Sequence, residues 1–367
     1  MTTTAKTWHL GNGLVEFGVL EIGGQLGPVR FVHNGGIIEP MHRAPWADEP
    51  GSANIPMMQH LRGDFFCAPF GANDLLQEEL RDHGRTANGV WREVERTSMR
   101  LELELDGKVA GARVRKELWL EPGRPLIYQR HTFEGGEGAL PLGHHAMLRA
   151  PAGEQLRISF SPWVWAGTPP APVESDPENG SSLLRYPQRF ESLNRVTTSN
   201  GTTVDLSRYP ELDASEDILM LVTDPDEEVA WSAAVAPRSG WVWFAVRPNR
   251  ILRNTLLWFS NGGRAYSPFL GRHRRVLGIE EVTSYFHLGH RTSVEPNDLN
   301  ELGYPTAVTL DRNEATVINY AFGAVPTPPG FGRVASLQVE PSHILLRNDQ
   351  GEELRVPFRG DFIRGSQ

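Results

Sequence analysis

Residues Met99–Leu120 read MRLELELDGKVAGARVRKELWL. Met99–Leu105 alternates apolar and charged side chains without a break, and Ala112–Leu120 does nearly the same. A period of two places one face of a strand in a core and the other in water. Asp106-Gly107 between them predicts a turn, and hence a hairpin. Outward from this pair, Trp91–Thr97 and Pro125–Phe133 continue the pattern, and Leu14–Ile22, Val29–His33 and Gly36–Glu39 are short segments punctuated by Gly-Gly and Asn-Gly-Gly. Leu140–Leu148 and Leu156–Phe160 follow. Strands resume at Ile218–Thr223, Val229–Val235, Trp241–Val246, Leu256–Phe259, Leu277–Glu280, Ala307–Leu310, Ala315–Tyr320, Val334–Glu340, His343–Arg347 and Glu353–Pro357. Helical periodicity is scarce. Roughly twenty strands predict an all-β chain, a large antiparallel assembly closed or doubled so that few edges stay open.

The long polar stretch from Gly167 to Tyr209 has the composition of a linker, but Leu183, Leu184, Tyr186, Phe190 and Leu206 recur along it. It reads as an ordered excursion over the surface, of the kind that borders binding sites. One domain over residues 1–367 is therefore expected, with a core over about residues 10–290 and added C-terminal strands over about 297–362.

Of 367 residues, 39% are hydrophobic, including ten Trp and sixteen Phe, which is ample for a core. The formal charge of −9 argues against a nucleic-acid partner, since phosphate backbones call for clustered cations. The single cysteine, Cys67, allows no intrachain disulfide. Neither a signal peptide nor an apolar run of membrane-spanning length is found, which points to a cytoplasmic protein with no membrane partner. No Cys or His spacing suggests a metal site, and no cofactor is expected.

Three constellations carry chemistry. The first runs from Arg62-Gly63 through Cys67-Ala68-Pro69-Phe70-Gly71 to His83-Gly84-Arg85-Thr86-Ala87-Asn88-Gly89-Val90-Trp91. It sets a donor-rich loop beside an aromatic ring, as sugar sites do. The second is Leu142-Gly143-His144-His145. Adjacent histidines on an extended segment face opposite sides, so only one enters a given pocket, and histidine suits acid–base work. The third is Glu280, at the end of the apolar run Val276-Leu277-Gly278-Ile279 and after the basic turn Arg272-His273-Arg274-Arg275. Its plain reading is a strand-end carboxylate paired with one of those arginines.

In this order and separation the three resemble the galactose mutarotase-like superfamily, the aldose 1-epimerases and the glucose-6-phosphate 1-epimerase-like branch among them. The resemblance spans about residues 10 to 290. It implies a β-supersandwich of galactose mutarotase type acting on a monosaccharide or sugar phosphate, as a monomer or homodimer. Residue by residue, it implies His145 and Glu280 as the catalytic pair and His83 as a substrate-binding histidine. Arg62, Arg85, Trp91 and Arg264 are further candidates for gripping the sugar, and Arg272, Arg274 and Arg275 only if they face inward. Ala87 stands where the sugar-phosphate branch has arginine, Met147-Leu148 replace its Tyr-Phe, and Glu281 replaces its proline.

The implied reaction opens and recloses the sugar ring, with Glu280 as base on the anomeric hydroxyl and a resting protonated His145 as acid on the ring oxygen. Two other classes remain open. A carbohydrate-binding protein without turnover would keep the groove and not the pairing of His145 with Glu280. A polysaccharide lyase or glycoside hydrolase would draw on carboxylates such as Asp64, Asp74, Glu280 and Glu281.

Overall fold

The computed structural model describes residues 6–76 and 82–364. Among them lie 27 strands, four helices of four or five residues and two short 3-10 turns. Two large antiparallel sheets dominate. The nine-stranded sheet runs, neighbour to neighbour, Arg208–Tyr209, Leu156–Phe160, Val229–Ala236, Trp241–Pro248, Ala315–Pro326, Leu126–Glu134, Ala112–Trp119, Arg100–Val109 and Trp91–Arg96. The seven-stranded sheet runs Trp163–Gly167, Glu216–Thr223, Asn254–Ser260, Val276–Thr283, Leu142–His144 and Phe66–Cys67, with Ala146–Arg149 also paired to Val276–Thr283. The fold is all-β, as the alternation predicts.

The opening hairpin forms, but its turn lies elsewhere. Asp106-Gly107 sits inside Arg100–Val109, where the register slips between Glu104 and Lys108. Gly107 (φ +98°) supplies the bulge, and Ala110-Gly111, both at positive φ, make the turn. On the partner strand Lys116 occupies an inward position and is buried, its ammonium donating to the Gly24 carbonyl at 2.8 Å.

The smaller sheet is buried on both faces, and the larger one on both faces except at its Trp91–Arg96, Arg100–Val109 and Ala112–Trp119 end, where one face meets solvent. Leu118, Phe133, Trp243 and Ile318 of the larger sheet share one core with Leu219, Leu257, Leu277 and Ile279 of the smaller. Tyr128, Trp231, Phe244 and Val246, on the larger sheet's other face, are covered by the C-terminal sheet Val334–Val339, His343–Asn348 and Glu353–Pro357 with helix Asp361–Arg364. The smaller sheet's other face carries Met147, Ile218, Met220, Trp258 and Val282, packed against Trp46, Phe65 and Phe70. The candidate residues gather on that third face.

Candidate active site

Alternation along Val276–Thr283 separates its two glutamates. Leu277, Ile279 and Glu281 face the core between the sheets, while Val276, Gly278, Glu280 and Val282 face the other way. Glu281 forms an ion pair with Arg247 at 2.7 Å and accepts from the hydroxyls of Ser232 and Thr255. Glu280, 2% exposed, has no arginine partner among the described residues; its Oε1 lies 3.3 Å from His145 Nε2. The plain reading thus belongs to the neighbour, Glu281, and the basic turn points elsewhere. Arg272 pairs with Glu49 at 2.6 Å, Arg274 pairs with Asp213 at 3.2 Å, and Arg275 donates to the Ala150, Pro151 and Glu154 carbonyls.

The two histidines divide in the same way. His144 is fully buried on the inter-sheet side, its Nδ1 2.9 Å from Asp64 Oδ2 and its ring stacked on Tyr320. His145 turns to the site. Its backbone N–H donates to the Phe65 carbonyl at 2.8 Å, and its ring stacks on that of Phe65, centroids 4.6 Å apart. Gly278 makes room for the pair, because a Cβ there would lie 2.5 Å from Glu280 Oε1 and 2.9 Å from Trp258 Cβ.

His83 completes the inner ring, 5.3 Å from His145 centroid to centroid. It precedes helix Gly84–Asn88 in a left-handed conformation (φ 64°), with its backbone N–H donating to the Gly71 carbonyl at 2.7 Å. Gly84 is required next to it, since a Cβ would fall 2.1 Å from the Ala68 oxygen. Arg264 forms an outer wall. Its guanidinium lies over the rings of Phe269 (4.7 Å) and Trp258 (5.6 Å), paired to Glu174 at 2.7 Å and near Glu216 at 3.8 Å. Glu174 comes from the excursion after Gly167, which therefore does border this site.

Arg62, Arg85 and Trp91 do not join them. Trp91 is fully buried, its indole N–H donating to the Thr86 carbonyl at 3.0 Å, so the ring is core and offers no face to a sugar. Arg62 turns back on the His60 carbonyl at 2.9 Å and packs beside Gly27, while Arg85 lies over Gly107 of the hairpin. Missed by sequence reasoning were Phe65, Trp258, Glu216, His273 and His287. Trp258 stands 5.7 Å from His145, donates to Glu216 and stacks on His273. Glu216 also accepts from the Ser260 hydroxyl at 3.0 Å.

Burial governs the electrostatics. Desolvation holds Glu280 well above the usual carboxylate range and His145 well below the usual histidine range, with the neighbouring His83 adding to the latter. This opposes the resting imidazolium expected for His145. Burial thus favours the uncharged form of both groups. His83 and His287 are both lowered to about 4, chiefly by burial, and Glu216 is raised to about 7 by the same cause. At neutral pH His83 and His287 are accordingly neutral, while Glu216 stands near half-protonation and Arg264 is paired with Glu174.

No protein-family model matches the chain, and no curated protein matches its sequence. Solved structures do. A galactose mutarotase-related enzyme from Lactobacillus acidophilus superposes with a TM-score of 0.56 at 11% identity, over 88% of this chain and 98% of that one. A provisionally named aldose 1-epimerase from Escherichia coli K12 gives 0.55 at 11% identity, over 88% of this chain and 100% of that one. At such identity the likeness concerns the backbone.

Proposed function

We propose that this chain, which has the galactose mutarotase-like fold, interconverts the anomers of an aldose at the His145–Glu280 pair. The observation that carries the reading is the 3.3 Å approach of His145 Nε2 to Glu280 Oε1 on one buried sheet face. The anomeric hydroxyl and the ring oxygen of an aldose are bonded to the same carbon, so two adjacent proton-transfer groups can reach both. Neutral His145 takes the hydroxyl proton as the carboxylic acid of Glu280 protonates the ring oxygen. The bond from the anomeric carbon to the ring oxygen breaks and an aldehyde forms. Rotation about the adjacent carbon–carbon bond and reversal of both transfers close the ring on the other face. Each well-placed transfer is typically worth ~10² to 10⁴ in rate. His83 and Trp258 offer a polar edge and a ring face to the sugar.

An uncharged sugar suits this site better than a sugar phosphate. Its histidines are held neutral by burial, and Arg264 is engaged by Glu174. The test is proton NMR exchange between anomers, run on neutral, phosphorylated and acidic aldoses with wild type, His145→Asn and Glu280→Gln. Acceleration of a neutral aldose that both variants abolish is expected. If no sugar is accelerated while one raises the melting temperature, the chain binds carbohydrate without turnover and the acid–base assignment fails.

A further inference from the structure

A broad groove lies away from the His145–Glu280 pair. It encloses about 1100 Å³ between the Ala315–Pro326 strand, the turn after Pro248 and the C-terminal helix Asp361–Arg364. Four arginines line it, Arg130, Arg250, Arg253 and Arg359, against two carboxylates, Glu314 and Asp361. On a chain of net charge −9 this is a local reversal of sign.

Two of the arginines are already engaged. Arg130 Nε donates to Asn319 Oδ1 at 3.0 Å, and Arg359 pairs with Glu121 at 3.1 Å and Asp361 at 3.3 Å. The guanidinium groups of Arg250 and Arg253 have no carboxylate, hydrogen-bond or ring partner among the described residues, although Arg253 is only partly exposed. Ile251 and the 39%-exposed Val317 supply apolar wall between the charges, with Pro248 and Phe362 buried behind. An arginine fork matches the oxygens of a phosphate, and an apolar wall matches a ring. At about 1100 Å³ the groove is at the upper end of ordinary ligand clefts, ~300 to 1,000 Å³, and roomier than a monosaccharide needs.

We infer that this groove is a second binding site, for a nucleoside phosphate, with Arg250 and Arg253 taking the phosphate oxygens and Ile251 and Val317 the ring. The C-terminal segment, through Arg359 and Phe362, is then a wall of that site as well as a cover for the larger sheet. The inference is independent of anomer chemistry.

The experiment is calorimetric titration of the full chain with ADP, with pyrophosphate and adenosine as separate arms. Wild type should bind ADP, and Arg250→Ala with Arg253→Ala should weaken it about tenfold or more, as loss of two charge-assisted contacts does. His145→Asn and Glu280→Gln should bind ADP as wild type does. Neither guanidinium has a partner among the described residues, so the double variant should keep its melting temperature; Arg250→Glu alone serves as a second probe. Failure of wild type to bind ADP, or undiminished binding by the double variant and by Arg250→Glu, overturns the inference. So does tighter binding of a single-stranded decanucleotide than of ADP, which would make the groove a nucleic-acid surface.

Discussion

Glu280 and Glu281 are chain neighbours with opposite duties, and exchanging each for glutamine should give opposite results. Glu281 is fully buried with Arg247, whose guanidinium also donates to the Leu252 carbonyl at 2.9 Å and to Thr255 Oγ1 at 2.8 Å. Glu281→Gln leaves that cation in the core without its counter-charge. Breaking a buried pair in this way costs about 3 to 5 kcal/mol. Against a total stability of ~5 to 15 kcal/mol that is a large fraction. Among the described residues Glu280 has His145 as its sole ionisable partner, and burial already disfavours its charge. Glu280→Gln should therefore leave stability unchanged or slightly raised while lowering anomer exchange by ~10² to 10⁴. Denaturant unfolding reads the first quantity and NMR exchange on the folded fraction the second. The face assignment is refuted if Glu280→Gln destabilises as much as Glu281→Gln, or if Glu281→Gln keeps full stability.

Gly278→Ala places a methyl 2.5 Å from Glu280 Oε1, so at saturating sugar exchange should fall about tenfold or more while circular dichroism stays native. Glu216 is raised from 4.5 to about 7, so the folded state keeps a proton that the unfolded chain releases; this stability is present below pH 4.5 and lost as pH rises to about 7. Melting temperatures across that window should fall more steeply for wild type than for Glu216→Gln, and equal slopes would contradict the assignment. His83 has the opposite sign. Lowered from 6.5 to about 4, it contributes stability that is present above pH 6.5 and lost as pH falls towards 4, so His83→Asn should flatten the acid limb of the same melting series. Cys67 is fully buried and its thiol is held well above the usual range by burial, so a thiol reagent should label native protein far more slowly than denaturant-unfolded protein.

Periodicity made the strands legible because alternation reports directly which side chains a sheet buries. It failed at Asp106-Gly107, where a dipeptide that suits a turn suits a bulge equally well, and the nearby Ala110-Gly111 took the turn instead. The candidate site was legible where its residues lie on or beside strands, as do His145 and Glu280, which the structure brings together. Arg62, Arg85 and Trp91 border or occupy an irregular segment whose side-chain directions no period encodes, and each proved to face elsewhere. Trp258 and Glu216 stayed hidden for another reason. Their strands are buried on both faces, so nothing in the residue pattern marks the face that carries chemistry.

Three adjacent polar doublets show how the sheet resolves that ambiguity. In His144-His145, Glu216-Asp217 and Glu280-Glu281 one residue secures the fold and the other enters the site. His144 meets Asp64, Asp217 accepts the Leu183 and Leu184 backbone N–H groups of the excursion, and Glu281 holds Arg247. His145, Glu216 and Glu280 go to the opposite face. Because strand side chains alternate with a period of two, a slip of one residue would exchange the members of a doublet, moving a structural charge into the candidate site and a proposed catalytic group into the core. The inter-sheet partners oppose that slip, since Arg247 and Asp64 would each lose a buried polar partner at several kcal/mol apiece. The buried polar layer between the sheets thus supports the proposed chemistry without touching it: it holds the register that keeps His145 and Glu280 face to face.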